Sequence, residues 1–493
     1  MKVLFIYPDI APSIPYYKGS LSFGLISISS VLKNMGIQTS LIHITEKNYN
    51  KEKLLHKIEQ SACDLIAFSA NSSMFKYVVK YSQFIKEKFN NIPIICGGVH
   101  PTIAPDDAIS YESIDMICIG EGELVMQELC DTLRNDKDIS NIKNLWVKKK
   151  ERIYKNEVRD LIRELDSLPF YDWSLYDIDK LHESPEGVGN YLASRSCPFK
   201  CSYCANHQIR KRYINDNFYI RFQSPSRVII EIKALLNSYP FIKYIVFQDD
   251  ILPKNKKWFE EFAYAYSQEI KIPYMCNARP ELITEHIAEL LKLSGCARVW
   301  LGIESGNEFI RKKILKRNIS QEQLRKAFSI LHHNNISTHS FNMIGLPYED
   351  KNRILETIKI NAEVKPAGIQ ATIFYPYSNS EIYYLCKQNG FIGNQEADDY
   401  HTKTILNLPT ITRSEIEFFK RYFRILVYIY KFIYHKRLPF REKIISLLDS
   451  ILTTKYLPYR FLTLSYQIPL YPIKYLHSRF FHKLYKRRAL QFK

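Results

Sequence analysis

Three cysteines, Cys197, Cys201 and Cys204, lie close together in the segment SRSCPFKCSYCANH. They follow a strand-like apolar run, which places them in one loop at the C-terminal end of a strand. Three thiolates on one loop can hold three irons of a [4Fe-4S] cluster and leave the fourth iron open to an external ligand. Tyr203 precedes the last cysteine, where its ring can pack against the cluster. A zinc site with His207 as the fourth ligand is the alternative, although structural zinc sites more often combine paired CxxC units.

The composition is that of a globular protein with more than one domain. The chain has 493 residues, of which 46% are apolar and 24% are charged, and this length allows two or three cores. The N-terminal segment MKVLFIYPDI lacks a basic region and a cleavage site, so it predicts a buried strand and not a signal peptide. No run is apolar for long enough to predict a membrane-spanning helix. The ten cysteines therefore indicate a reducing, cytoplasmic compartment.

The first 135 residues alternate short apolar runs with amphipathic segments. This alternation predicts a doubly wound, Rossmann-like α/β domain with a parallel sheet. The strand-like runs are 3–7, 39–44, 65–70, 92–98 and 114–120.

Three polar or glycine-rich loops follow strands of this domain and should line one edge of its sheet. They read SANSS at 69–73, GGVHPT at 97–102 and GEGE at 120–123. Glycines let the backbone approach a large ligand closely, and hydroxyl groups can bond its amide arms or a phosphate. The candidate binding residues are Ser69, Ser72, Gly97, Gly98, His100, Thr102, Gly120, Glu121, Gly122 and Glu123.

A second alternating region predicts a partial TIM-type (β/α)6 barrel. Residues 136–185 are charged and weakly periodic, which indicates a linker with an extended, partly packed arm. Residues 186–392 contain six strand-like runs with helical segments between them, fewer than a full eightfold barrel has. The runs begin near residues 190, 244, 274, 298, 338 and 368.

Several further polar residues and one glycine fall at the ends of the predicted barrel strands, where such a barrel places its site. QDDIL puts two carboxylates after the second strand, for which helix N-capping is the alternative role. GIES ends the fourth strand, and the glycine of NMIGLPYED allows close approach of the backbone. The candidates are Asp249, Asp250, Glu304, Ser305 and Gly345.

With these motifs, residues 1 to about 390 resemble radical S-adenosylmethionine (SAM) enzymes that carry an N-terminal cobalamin-binding domain. The resemblance implies that the open iron chelates SAM, which an electron then cleaves to a 5′-deoxyadenosyl radical. It assigns Asp249 and Asp250 to orienting SAM or substrate, and Glu304 and Ser305 to the amino or ribose groups of SAM. It places Gly345 on the strand that contacts adenine and implies that the three N-terminal loops bind cobalamin.

Some segments depart from the family pattern or leave alternatives open. The first strand is not followed by a DxHxxG motif, and His100 lies in a different loop. The resemblance therefore implies cobalamin with no histidine on cobalt, and a domain that has lost the cofactor is the alternative. FYPYSNSEIY has SNS where the family has PGT, which leaves the contacts of Tyr375 to Ser380 open. Arg279 is expected either to contact a carboxylate or to form a surface ion pair.

The basic charge of the chain is concentrated in its C-terminal region. The net charge is +18, and residues 411–493 carry 18 Lys and Arg against 4 Asp and Glu. Residues 393–493 predict a separate basic, aromatic helical region. It could be a packed cap with a solvated basic face, or it could contact the inner membrane surface peripherally. Nucleic acid is the third alternative, but no nucleic-acid module is recognisable, and we expect no such partner.

The resemblance implies an enzyme that methylates an unactivated carbon of a small-molecule or lipid-linked substrate. An electron donor such as flavodoxin or ferredoxin would reduce its cluster. One alternative is a radical cyclase or rearrangement enzyme that acts on a lipid or tetrapyrrole-like substrate. A non-catalytic cobalamin- or cluster-binding sensor is the other.

Overall fold

The computed structural model describes residues 1–465 except 12–13, 15, 214–218, 394–402 and 437–438. Two parallel sheets, each covered by helices, form the body of the molecule.

The N-terminal sheet confirms the predicted doubly wound domain. Its five parallel strands lie in the order β2-β1-β3-β4-β5. Helices on both faces bury the strands, which is why they read as continuous apolar runs. The strands are β1 Lys2–Pro8, β2 Gln38–Ile44, β3 Leu65–Ser69, β4 Ile94–Gly97 and β5 Met116–Cys118. The helices are α1 Phe23–Asn34, α2 Lys51–Ser61, α3 Phe75–Lys88, α4 Val99–Ile103, α5 Pro105–Ser110 and α6 Glu123–Arg134.

The segment predicted as a linker includes a β-hairpin that extends the first sheet. β6 Leu145–Lys149 pairs antiparallel with β5, and β7 Arg152–Lys155 pairs with β6. Leu145 and Val147 are buried in β6 while lysines occupy its outer positions and the turn, and lysines are common in edge strands. Only residues 145–155 of the predicted linker belong to the sheet. The rest is an extended arm with 3₁₀ turns at Leu165–Ser167, Trp173–Leu175, Ile178–Lys180 and Ser184–Glu186.

The second sheet confirms a six-stranded partial barrel. All its strands are parallel, in the order β15-β14-β13-β12-β11-β8. These strands are β8 Val188–Tyr191, β11 Tyr244–Phe247, β12 Tyr274–Ala278, β13 Cys296–Glu304, β14 Ser337–Ile344 and β15 Gly368–Ile373. A short antiparallel pair, β9 Ser194–Arg195 and β10 Arg221–Phe222, lies beyond β8.

Helices alternate with the barrel strands and cover the outer face of the sheet. They are α7 Ala205–Arg210, α8 Pro225–Ser238, α9 Lys256–Glu269, α10 Glu285–Leu293, α11 Gln321–His333, α12 Lys351–Val364 and α13 Glu381–Gln388. A π-helical turn spans Ile310–Ile314, and 3₁₀ turns span Leu252–Lys254 and Pro280–Leu282.

In the described part of the predicted C-terminal region the chain forms three helices, the first of which packs against the barrel. Residues 394–402, 437–438 and 466–493 of that region lie outside the described residues. The helices are α14 Arg413–His435, α15 Arg441–Thr453 and α16 Tyr459–Ser465. A capping box formed by Thr412 and Glu415 begins α14. One face of α14 shares a hydrophobic core with β14, β15 and α12. Arg424 donates to the Ile369 carbonyl at 2.8 Å, which satisfies part of the open edge of β15. No helix in the described part of the chain is long and apolar enough to cross a membrane.

Candidate functional site

The three cysteines lie on one loop between β9 and α7. Cys201 is buried, Cys197 and Cys204 are half-buried, and all three are free thiols. Burial raises the pKa of Cys204 to about 12, so metal binding must displace a proton there. Among the described residues, no three His, Cys, Asp or Glu side chains gather around one point as ligands of a single metal ion. The thiolates of a [4Fe-4S] cluster each bind a different iron and need not meet at one point.

Arg279 lies directly beside the cysteine loop. It follows β12, and its Nη1 donates to Cys201 Sγ at 3.1 Å. The guanidinium carbon lies 3.7 Å from the centre of the Phe199 ring, and Nη2 pairs with Glu281 Oε1 at 2.5 Å. Arg279 is buried, so the prediction of a surface ion pair is wrong. The guanidinium is thus placed to offset the negative charge that an iron-bound sulfur at Cys201 would carry.

Tyr203, Glu304 and Arg317 form a buried polar group next to the cysteines. Arg317 Nη1 donates to Tyr203 Oη at 3.2 Å and lies 3.6 Å from Glu304 Oε1. Burial raises the pKa of Glu304, against the opposing effect of Arg317. Glu304 has φ +63° at a register shift in β13, a conformation that costs energy for a residue with a side chain. Such strain at the end of a barrel strand is typical of functional positions.

The two adjacent aspartates have different roles. Asp249 is fully buried, and its carboxylate accepts from the Ala193 N–H at 3.0 Å and from the Ser194 hydroxyl. It therefore supports the strand that leads into the cysteine loop, and this contact was not predicted. Asp250 is exposed and accepts from Asn206 Nδ2 at 3.0 Å. Of the two, only Asp250 presents its carboxylate to an incoming ligand.

Ser305 is turned away from the site. It is fully buried, its carbonyl accepts from Arg311 Nη1 at 2.6 Å, and its hydroxyl accepts from the Asn307 N–H at 3.3 Å. These bonds hold the turn after β13 and leave Ser305 without the predicted ligand contact.

Gly345 follows β14 in a tight turn that depends on a residue missed by the sequence analysis. It has φ +77°, and its N–H donates to Glu349 Oε2 at 2.6 Å, as the Leu346 N–H does at 3.1 Å. Burial raises the pKa of Glu349 to about 8. The spacing G-x-x-x-E in GLPYE was the available signal, because a carboxylate four residues on can accept both N–H groups of the turn.

At the N-terminal sheet edge, His100 is held by its neighbours. Its Nδ1 lies 3.2 Å from Ser72 Oγ, and its Nε2 lies 2.9 Å from Asp107 Oδ2. The ring stacks on Phe75 with a centroid separation of 4.0 Å. Both ring nitrogens are engaged, so His100 and Ser72 shape the loop and have little capacity for a direct ligand bond.

Thr102 joins two of the predicted binding loops. Its hydroxyl donates to the Gly98 carbonyl at 2.8 Å and accepts from the Gly120 N–H at 2.9 Å. The loops after β4 and β5 therefore form one continuous edge.

The glycines of this edge are needed for different reasons. A Cβ at Gly98, which has φ +98°, would lie 2.7 Å from the Ala70 carbonyl oxygen. At Gly120, which has φ +83°, it would clash with Tyr213 Oη, and at Gly122 it would lie 2.7 Å from Ile28 Cδ1 at the end of a flexible side chain. At Gly97 the nearest atom would be Cys118 Cβ at 3.6 Å, an ordinary contact. The chain's own packing thus requires glycine at positions 98 and 120, whereas it would tolerate a Cβ at position 97.

Glu121 and Glu123 form a buried ion-pair network with arginines of the barrel. Arg195 contacts Glu123 Oε1 at 2.5 Å and Glu121 Oε1 at 3.1 Å, and Arg221 Nη2 contacts Glu121 Oε1 at 2.8 Å. Burial alone would raise the pKa of Glu121, but the two arginines hold it down at about 2. The predicted ligand contacts are instead bonds between the two domains. No sequence motif indicates this pairing, because the partners are distant along the chain.

The network places the sheet edge against the cysteine loop, since Arg195 lies two residues before Cys197. A second link lies at Ile103, whose carbonyl accepts from Arg212 Nη2 at 3.2 Å and from Asn379 Nδ2 at 2.9 Å. The loop after β4 therefore contacts the segments on both sides of the barrel opening.

These residues fit the groups that the motifs imply. Three free thiols with Arg279 beside Cys201 are a donor set suited to a [4Fe-4S] cluster. Gly97 pairs with Ser69 at the carboxyl ends of β4 and β3, and the absence of a side chain at Gly97 suits close approach of a large ligand to the sheet edge.

Comparison with protein families identifies both domains. Residues 191–360 match the model of the radical SAM superfamily, and residues 21–130 match the model of the B12-binding domain. An uncharacterized methyltransferase of Pyrococcus horikoshii is 27% identical over 84% of this chain and 90% of its own length. The anaerobic magnesium-protoporphyrin IX monomethyl ester cyclase of Synechocystis is 26% identical over 68% of this chain and 67% of its own length.

Solved structures share the fold. The cobalamin-dependent S-adenosylmethionine radical enzyme OxsB, with aqua-cobalamin and SAM bound, matches 92% of this chain and 71% of its own with a TM-score of 0.67 and 15% identity. The radical SAM methyltransferase TsrM from Kitasatospora setae matches 80% of this chain and 77% of its own with a TM-score of 0.64 and 14% identity.

The fold and the cysteine loop define a protein with a radical SAM barrel behind a B12-binding domain. The chain belongs to the radical SAM superfamily, among the members that carry a B12-binding domain. Its cofactors are accordingly a [4Fe-4S] cluster, SAM and cobalamin, and the chemistry requires a reductant.

Proposed function

We propose that this enzyme transfers a methyl group to an unactivated carbon of a small-molecule substrate. The observation that carries the proposal is the contact of the B12-binding edge with the segments that flank the cysteine loop. Arg195, just before the loop, pairs with Glu123, and Arg212, just after α7, donates to the Ile103 carbonyl. A methyl donor and a radical source on these two surfaces would act on one substrate between them. The similarity to a methyltransferase over nearly its whole length supports the same reaction.

With its cofactors bound, the reduced cluster would supply the electron that cleaves one SAM to methionine and a 5′-deoxyadenosyl radical, and cobalamin would carry to the substrate a methyl group taken from a second SAM, which leaves as S-adenosylhomocysteine. The protein contributes position and charge. Cys197, Cys201 and Cys204 would hold the cluster, and Arg279 would balance the negative charge at Cys201. Radical abstraction is needed because a carbon without an acidic proton cannot be activated by an ordinary base.

On the barrel side, Asp250, Glu304 and Gly345 are the proposed contacts for SAM. Asp250 offers an exposed carboxylate for the amino group, and Glu304 is held towards the loop by Tyr203 and Arg317. The positive φ of Gly345 keeps a side chain out of the space beside the strand end. These roles come from the family resemblance together with the local contacts.

On the other side, Ser69 and Gly97 are the proposed direct contacts for cobalamin. His100, Thr102 and Gly98 shape the loops around them, and none of these offers an imidazole to cobalt. Cobalamin without a protein histidine on the metal is therefore the state that we propose.

The test uses the full-length protein with its cluster and cobalamin restored under anaerobic conditions. It is incubated with SAM carrying a deuterated methyl group, a flavodoxin or ferredoxin reducing system and a small-molecule extract. The proposal predicts a product that gains the labelled methyl group, together with 5′-deoxyadenosine and S-adenosylhomocysteine. A product without the label would contradict it.

A radical cyclisation is the second candidate, because anaerobic magnesium-protoporphyrin IX monomethyl ester cyclases are also among the similar proteins. The same incubation separates the two reactions. Cyclisation predicts a product that has lost hydrogen or kept its mass, with 5′-deoxyadenosine formed but no methyl label incorporated.

A further inference from the structure

Two exposed apolar stripes run along the C-terminal helices. The side chains of each stripe are three or four residues apart, so they share one face of their helix. On α14, Phe432 is 57% exposed, and near α15, Leu447 is 63% exposed. The stripes consist of Ile425, Tyr428, Ile429 and Phe432 on α14, and of Phe440, Ile444, Leu447 and Ile451 at α15.

The opposite faces of both helices already supply the core. Phe419, Phe423 and Tyr430 of α14 are buried in the cluster that includes β14, β15 and α12, and Ile445 of α15 is buried in it too. The exposed stripes are therefore additional to what folding requires. Grouped exposed apolar side chains of this kind mark an interaction surface.

The charges around the stripes are strongly positive. Between residues 413 and 465 the chain carries 11 Lys and Arg against 4 Asp and Glu. Two of the four acids are bonded to α12, since Glu415 contacts Lys351 at 3.0 Å and Asp449 contacts Lys359. The outward surface is thus more basic than the sequence count alone indicates.

We propose that these two stripes and the lysines and arginines beside them dock on an anionic lipid surface. A second copy of the chain would bring the same positive charge against this surface. Residues 466–493 are an unsuitable partner for the same reason, because they carry seven Lys and Arg and no Asp or Glu and would also bring positive charge to the surface. Nucleic acid would match the charge, but five of the eight stripe residues are isoleucine or leucine, which offer no ring on which bases stack. A bilayer interface with anionic headgroups accepts both the apolar side chains and the cations.

Vesicle co-sedimentation of the full-length protein tests this. We expect binding to vesicles of phosphatidylcholine mixed with phosphatidylglycerol, no binding to phosphatidylcholine alone, and weaker binding as salt is raised. The double variant Phe432→Glu, Leu447→Glu should partition about tenfold or more weakly. The matched control is Ile230→Glu, which changes a side chain that is 54% exposed on α8 and should bind as the unchanged protein does.

Far-UV circular dichroism and iron content show whether the double variant is folded. If it is not, the single variant Tyr428→Glu replaces it. Binding to neutral vesicles as strong as to anionic ones, or equal loss with Ile230→Glu, would overturn the proposal. So would a dimer in light scattering that the double variant abolishes, because the stripes would then be a contact between copies. Failure of methyl transfer leaves this binding unaffected, so the two proposals fail separately.

Discussion

The cysteine loop of the barrel and the edge of the N-terminal sheet use their polar residues in opposite ways. Beside the cysteines, Arg279 and Glu304 are held by neighbours in positions that still reach the site. At the sheet edge, His100, Thr102 and Glu121 bond to other protein groups. On the proposed assignment, the barrel would present charges to its ligands, whereas the sheet edge uses its polar residues to build a surface. Reactive SAM needs charged partners, while a large corrin can be bound by shape.

The largest effect that separates the two regions is expected from Cys201→Ala. Removing one of three thiolates should abolish cluster assembly and SAM cleavage, because the loop then lacks a ligand for one iron. Cobalamin binding should remain, since Cys201 does not contact the sheet edge loops. Iron content, 5′-deoxyadenosine yield and the visible corrin spectrum measure these outcomes. Full iron content in the variant would contradict the assignment.

Glu123→Gln tests whether the sheet edge bonds to the barrel. It removes the buried carboxylate that pairs with Arg195, and breaking such a pair costs about 3 kcal/mol of unfolding free energy. Glu128→Gln is the control, because Glu128 also pairs with an arginine but is half exposed, and its loss should cost under about 1 kcal/mol. Denaturant unfolding compares the two. Equal losses of unfolding free energy would mean that the interdomain pair stabilises the protein no more than an exposed ion pair does.

Gly97 and Gly98 test which positions of the sheet edge bind the ligand and which are needed for folding. Gly98→Ala should destabilise the protein by about 1–3 kcal/mol, because of its positive φ and the clash with Ala70. Gly97→Ala should leave stability within about 0.5 kcal/mol but weaken cobalamin binding. Thermal unfolding and corrin titration measure both quantities. If Gly97→Ala binds cobalamin normally, the ligand does not approach this position.

Glu349→Gln is expected to change the pH dependence of stability on the barrel side. The folded-state pKa is raised from 4.5 to about 8, so the protonated carboxyl stabilises the fold fully below about pH 4.5. That contribution is lost as pH rises towards 8, by about 1 kcal/mol per pH unit. The neutral amide should remove this slope, so unfolding curves of both proteins at several pH values should converge or cross as pH rises. Parallel pH profiles would show that Glu349 is ionised in the fold.

The sequence predicted the two parallel sheets well because their strands are buried on both faces and read as apolar runs. It missed the hairpin at 145–155, where lysines conceal the alternation of Leu145 and Val147. It identified the cysteine loop because these three thiols happen to be close along the chain. It could not show that Ser305 and Glu121 are held by arginines, because those partners cannot be assigned from sequence.

The central claim is that one chain holds a cluster and a corrin on facing surfaces, and anaerobic reconstitution tests it most directly. The full-length protein is loaded with iron, sulfide and cobalamin, then given SAM and reductant. We expect corrin absorption bands to remain with the protein after gel filtration and 5′-deoxyadenosine to form. A protein that fills its cluster and cleaves SAM but retains no corrin would contradict the account.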